Sequence, residues 1–141
     1  MPDVLIGSLE TEFIVALVLA IIIGFFIGVE RETRHKAAGI STHILVIAGA
    51  MLFTFLSGLV DGSPGVIAAQ IVTGIGFLGA GLILKDGVNV HNLTTAASVW
   101  FAAAIGMALG FGFYAIAIIA GVVAIFIPRI PSLSGSKGGE V

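Results

Sequence analysis

The sequence predicts an all-α membrane protein, a bundle of about five transmembrane helices. Three observations predict it. The 141-residue chain is 58% hydrophobic and only 10% charged, far from the balance of a water-soluble domain. Five apolar stretches meet or approach the roughly 20 residues needed to cross the hydrocarbon core. The six Lys and Arg residues fall on one side only of the membrane those stretches define.

The elements follow in order. Met1 to Glu12 carries Asp3, Glu10 and Glu12 and no Lys or Arg, so it lacks the positive start of a secretory signal, and the first apolar run is expected to remain in the mature protein. That run, the first span, covers Phe13 to Val29. The second covers about Thr42 to Val60 and ends at the turn signal Asp61-Gly62-Ser63-Pro64. The third covers Val66 to Leu84. After the polar segment Lys85 to Asn92, the apolar sequence from Leu93 to Ile127 is too long for one helix. Its best break is Gly110-Phe111-Gly112, which gives a fourth span from Leu93 to Leu109 and a fifth from Phe113 to Ile127. Residues 1–131 then form one transmembrane domain, and the Ser/Gly-rich tail from Ser132 to Val141 is expected to be flexible.

Five spans place Arg31, Arg34 and Lys36 in the first loop, Lys85 in the third, and Arg129 and Lys137 after the last. Short basic loops stay cytoplasmic, so the N-terminus is expected outside and the C-terminus inside. Four spans would split the cations between both sides, which independently favours the break near Gly110.

Composition also excludes. A formal net charge of -2 and six dispersed cations offer no basic surface for nucleic acid. The absence of cysteine removes disulfides, thiolate metal sites and thiol nucleophiles.

Three segments carry polar residues of interest. The first is Gly28-Val29-Glu30-Arg31-Glu32, followed by Arg34, His35 and Lys36. Glu30 with Arg34 and Glu32 with Lys36 stand at i,i+4 with the acid first, which favours helical ion pairs. A charged membrane stop explains the run. Glu30 nevertheless abuts the apolar span, where ionisable groups tend to mark sites.

The second segment, Ala68 to Gly81, holds Gln70 and the glycines Gly74, Gly76, Gly79 and Gly81. Gly74, Gly76 and Gly79 match the spacing of a dinucleotide fingerprint but lack its strand, helix and acidic context. Close helix packing or a locally unwound membrane segment is the expected use, with Gln70 lining any cavity. Gly24 with Gly28 and Gly106 with Gly110 form GxxxG pairs that let backbones approach, within one bundle or across a dimer.

The third segment runs from Lys85-Asp86 through His91 to Leu93-Thr94-Thr95 and Ser98-Val99-Trp100. Thr94, Thr95 or Ser98 is expected to cap or back-bond at the start of the fourth helix, with Trp100 as an interfacial anchor. Asp86 and His91 share the cytoplasmic face with Glu30, Glu32 and His43. Two readings of these carboxylates stay open: solvated surface groups, or a Mg²⁺-type hard-cation site at Glu30, Glu32 and Asp86. Ser41, His43 and Asp61 make no triad, because the membrane separates Asp61 from the other two. No enzyme signal remains.

Together the segments resemble the MgtC/SapB family of bacterial and archaeal membrane proteins. The resemblance lies in Gly24 to Arg31 (Gly-x-x-x-Gly-x-Glu-Arg), Lys36 to His43 (Lys-x-Ala-Gly-x-x-Thr-His), Ala69 to Gly81 and Leu93 to Trp100. It covers about residues 20 to 114, and the expected form is the short one, without the cytosolic ACT-like domain many relatives add. It implies a multi-pass inner-membrane protein linked to magnesium limitation and, in pathogens, to survival inside macrophages. It also implies a non-enzymatic regulator acting on other membrane proteins such as the F-type ATP synthase; the alternative is transport of magnesium or another cation, by a dimer. Glu30, Arg31, Lys36, Thr42, Gln70, Asp86, Thr95 and Trp100 fall on family-pattern positions. Virulence-associated members often have Leu-Asn-Thr and Trp-Cys where this chain has Leu93-Thr94-Thr95 and Trp100-Phe101.

Overall fold

In lipid an apolar segment must satisfy its own backbone hydrogen bonds, and each of these stretches does so as a helix. A computed structural model describes residues 2–60, 64–86 and 89–130, with residues 2–6, 64, 86 and 89 described by backbone alone. Its helices are α1 (Pro2–Thr33), α2 (Ile40–Leu59), α3 (Pro64–Leu82), α4 (Leu93–Gly110) and α5 (Tyr114–Phe126), the last continued by a 3₁₀ turn over Ile127–Arg129. The first four are long and apolar enough to cross a membrane, and the shorter α5 with its final turn is apolar throughout its helix. The turn expected at Asp61 to Ser63 and the tail from Ser132 to Val141 lie outside the described residues.

The break between α4 and α5 falls where the sequence puts it, and backbone geometry gives the reason. Phe113 N donates to Ala108 O at 2.8 Å and Gly112 N to Leu109 O at 3.0 Å, with Gly112 at φ +78°. That is a Schellman termination, which needs a left-handed residue just past the helix and favours glycine there. The same device ends α1: Lys36 N donates to Arg31 O and His35 N to Glu32 O, with His35 left-handed at φ 53°. No glycine advertises this second stop, so the sequence alone runs the helix on towards Lys36.

One element is new. Lys85 to Asn92 is not plain loop: β1 (Leu84–Asp86) pairs antiparallel with β2 (Asn89–His91), Lys85 opposite Val90. Strands of three residues leave no periodicity to read.

Helices α2 and α4 form the central contact; α1 packs on α2, α5 on both α4 and α1, and α3 on the α4–α2 edge. The mid-bundle core is built from Ala16, Ala20, Ile23, Ile47, Met51, Ala102, Ile105 and Leu109 with Ala117 of α5, and the polar side chains of Thr54 and Ser57 are buried nearer the end where α2 finishes. Small residues set the spacing. A Cβ at Gly24 would lie 2.7 Å from Ile44 Cα, and one at Gly110 would lie 2.6 Å from Met51 O. Gly28 and Gly106 press against Ile40 and Ile47 in the same way. Both GxxxG pairs therefore act within one bundle.

The third-helix glycines behave otherwise. Helix α3 is continuous, so no unwinding occurs at them. Gly79 has Ala96 O at 3.7 Å from a built Cβ, whereas Gly74, Gly76 and Gly81 have no atom of the described residues within 4 Å of one.

Candidate functional site: a buried charged corner

The alternation of helices brings the end of α1, the start of α2, the end of α3, the start of α4 and the end of α5 to one end of the bundle. Glu30 and Arg31 close α1 there and are 4% and 1% exposed. A charge so buried must be hydrogen-bonded or paired.

Arg31 Nη2 donates to Thr95 Oγ1 at 2.8 Å, tying α1 to the first turn of α4. Ser98 Oγ, one turn on, donates to Thr95 O at 2.8 Å. His43 of α2 faces the same hydroxyl, Nε2 to Oγ at 3.3 Å, while its Nδ1 lies 2.8 Å from Gly39 O. A carbonyl only accepts, so Nδ1 carries the proton. The one hydroxyl proton of Ser98 serves the nearer acceptor, Thr95 O, so Nε2 of the neutral His43 ring meets Ser98 Oγ as a polar contact with no proton between them. A polar chain thus runs Arg31, Thr95, Ser98, His43 across three helices. Thr95 is held by this chain rather than used as a cap, and α4 begins at Asn92, left-handed at φ 62°, with no side-chain cap.

Glu30 turns towards α5. Its Oε1 lies 3.4 Å from Arg34 Nη1, the ion pair the spacing predicts, and 3.9 Å from Arg129 Nε. Arg34 also donates to the Pro128 carbonyl, and Arg129 stacks over Phe126 with Cζ 5.6 Å from the ring centroid. Three guanidinium groups around one carboxylate leave this corner net positive. Two buried atoms of this corner have no hydrogen-bond partner among the described residues, Glu30 Oε2 and Arg31 Nε; a third, Thr54 Oγ1, lies on α2 away from it.

Glu32 points elsewhere. Lys36 lies past the end of α1, so the expected Glu32–Lys36 helical pair does not form; among the described residues the ion pairs are those of Glu30. Instead Glu32 Oε1 accepts from Ile40 N at 2.9 Å, capping the first turn of α2 from outside it. Glu32→Ala is therefore expected to cost about 1 kcal/mol, the usual worth of an N-cap, with Glu32→Gln retaining most of it. Thermal unfolding in detergent of the two variants side by side measures the difference.

The other sequence candidates scatter. Lys36 is exposed in the turn and Thr42 is half-buried in the first turn of α2. Trp100, half exposed, lines a cavity of about 230 Å³ with Val72, Ile75 and Met107, two turns into α4 rather than at its mouth. Gln70 is exposed on α3, lining an apolar groove of about 590 Å³ between α2 and α3. Asp86 stands in β1, and its side chain lies outside the described residues. Among the described residues no three His, Asp or Glu side chains gather as metal ligands. With Oε1 of Glu30 facing arginines and Oε1 of Glu32 bonded to a backbone N–H, the described groups do not fit a resident Mg²⁺.

Sequence reasoning left out Arg129 as a site residue. Its signal was faint: a cation that ends the apolar α5 directly after Pro128.

A sequence model of the MgtC family matches residues 17–132. The chain belongs to the MgtC family. The match takes in the whole charged corner, from Glu30 to Arg129. Among curated relatives the chain is 53% identical over 95 residues to Protein MgtC of Brucella abortus (strain 2308), covering 66% of this chain and 40% of that protein. It is 49% identical over 102 residues to Protein MgtC of Salmonella typhimurium (strain LT2), covering 71% and 44%. It is 43% identical over 132 residues to a protein of Escherichia coli (strain K12) named "Putative magnesium transporter YhiD", covering 86% and 61%. The chain thus spans well under two thirds of the length of these MgtC relatives. No solved structure gives a significant match.

Proposed function

We propose that this MgtC-family chain is a multi-pass inner-membrane regulator in adaptation to low magnesium. It acts without catalysis, through contacts with other membrane proteins. The observation that carries the reading is the closed interior: below Glu30 and Arg31 the bundle is filled by Ile27, Ile23, Ile47, Met51 and Ile105, and the described polar side chains of the corner tie helix ends together. An apolar plug of this kind offers no polar route for a hydrated cation through one copy. Arg31, Arg34, Lys36, Lys85 and Arg129 share one end, which supports a cytoplasmic position for that end and an outward N-terminus.

The test uses the purified full chain in sealed vesicles. Magnesium entry is expected to match protein-free vesicles. When the chain is reconstituted together with an F-type ATP synthase, the partner the family resemblance implies, ATP-driven acidification is expected to slow. Magnesium entry by the chain alone sinks the regulator reading.

The second reading is a magnesium transporter. The printed name of the Escherichia coli relative favours it, as does the unpartnered, buried Oε2 of Glu30. On that reading Glu30→Gln abolishes the flux.

A further inference from the structure

Helix α3 is the span least embraced by the bundle: 11% of its window is buried, against 33 to 44% for the other three long spans. Among the apolar side chains it leaves uncovered, such as Val66, Val72 and Leu78, stands a stripe unlike them. Gln70, Gly74, Phe77 and Gly81 follow a 4-3-4 spacing, so they lie in one stripe along the helix. Gln70, Gly74 and Gly81 are exposed and Phe77 is 81% exposed. Gln70 sits roughly 9 Å along the helix from its start, at 1.5 Å per residue, within the hydrocarbon layer. An amide left there without a protein partner is unfavourable.

We propose that a second copy of this chain seats on this face of α3, about a two-fold axis along the membrane normal, with the two Gln70 amides hydrogen-bonded to each other. Three features select a copy of the same chain rather than a foreign helix. An amide is both donor and acceptor, so two of them related by a two-fold satisfy each other. The stripe carries its own knob and its own notches, Phe77 between Gly74 and Gly81. A helical side chain leans towards its N-terminus, so Phe77 of one copy reaches the level of Gly74 on a parallel partner. Elsewhere in this chain glycines at helix-packing spacing are pressed against a neighbouring backbone, as at Gly24 and Gly110. On α3 the same provision stands open. Gln70 and Gly74 of the stripe also line the groove whose other wall is Leu45, Gly49 and Phe53 of α2, which gives the partner helix a seat on its flank.

The dimer stands or falls apart from the regulatory reading, since it is measured without ATP synthase and without flux. The chain has no cysteine, so single-cysteine variants of the full chain report without background. In dilute lipid vesicles, Gly74→Cys is expected to convert most of the protein to a disulfide-linked dimer on mild oxidation. Ile119→Cys, on the outward face of α5 and 65% exposed, is expected to leave it monomeric. Gly74→Leu separates association from folding: no atom lies within 4 Å of the added Cβ and the position opens onto the groove, so the monomer is expected to keep its SDS unfolding midpoint while the filled notch removes the dimer. Gln70→Leu is expected to weaken dimerisation about three- to tenfold, the usual worth of one or two interhelical hydrogen bonds in a bilayer. Equal crosslinking at Gly74→Cys and Ile119→Cys overturns the proposal. So does a Gly74→Leu protein that still dimerises, or a Gly74→Cys protein that in native membranes crosslinks only to a different polypeptide.

Discussion

Gly106→Val is expected to disrupt the bundle, at a cost of about 3 kcal/mol or more. Gly106 lies where α4 crosses α2, and a Cβ there would meet the carbonyl of Ile47 and stand 2.9 Å from Ala50 Cβ. A carbonyl bonded within a helix cannot swing aside as a side-chain tip can. The two helices must separate, and they form the central contact of the fold. Overpacking in a dense core costs typically 1–3 kcal/mol where side chains can adjust; here the obstruction is backbone, which puts the effect at the upper end. Gly76→Ala is the matched control. It is also a glycine-to-larger change in an apolar helix, but its Cβ meets nothing within 4 Å, so stability is expected to hold or rise by up to about 1 kcal/mol from helix propensity. Unfolding both proteins with SDS in mixed micelles reads the contrast. Equal midpoints would remove the α2–α4 crossing from the account of stability.

Arg31→Met is expected to be the second large loss, about 3 kcal/mol by the same measurement. Methionine fills much of the volume of the arginine stem, so packing changes little. What is lost is the charged hydrogen bond to Thr95 at 2.8 Å and a guanidinium beside a carboxylate whose Oε2 is already without a partner. Removing one member of a buried charged group costs up to about 3–5 kcal/mol where it leaves the opposite charge uncompensated. Arg34 and Arg129 still face Glu30, which holds the effect at the low end of that range. Thr95→Val removes the same hydrogen bond from the other side and is expected to cost about 1.5–3 kcal/mol. The double variant should then cost less than the two single losses together, since both delete one interaction. Strict additivity would mean that Arg31 and Thr95 do not depend on each other.

Much of this architecture was legible in the chain. The Gly110-Phe111-Gly112 break could be read because glycine tolerates the left-handed turn that ends α4, and the cation distribution agreed with it. The stop after Thr33 could not, because a histidine occupies the equivalent turn and the i,i+4 spacing of Glu32 and Lys36 points the other way. Within the corner, Glu30–Arg34 is a local pair and follows from spacing alone. The bond from Arg31 to Thr95 joins positions 64 residues apart, and no local pattern encodes which distant hydroxyl an arginine will find. The glycines of α3 show a further limit: their density was visible, but whether they face a neighbour depends on where the helix sits in the bundle.

The unequal lengths of α1 and α5 have a consequence for the surrounding lipid. Arg34 holds the Pro128 carbonyl, so the two helices finish level at the basic end. Helix α5 with its final turn covers residues 114–129, roughly 24 Å at 1.5 Å per residue, against a hydrocarbon thickness of about 30 Å. The whole shortfall falls at the far end, where Tyr114 reaches Glu12 O at 3.4 Å and α1 continues outward past it. Acyl chains beside the Phe111-Gly112-Phe113 corner must shorten or splay to keep its backbone near water, so one leaflet is thinned on that flank by several Å. The protein thereby carries a dimple in the bilayer with it, and thinner membranes are the better solvent for that side of the bundle.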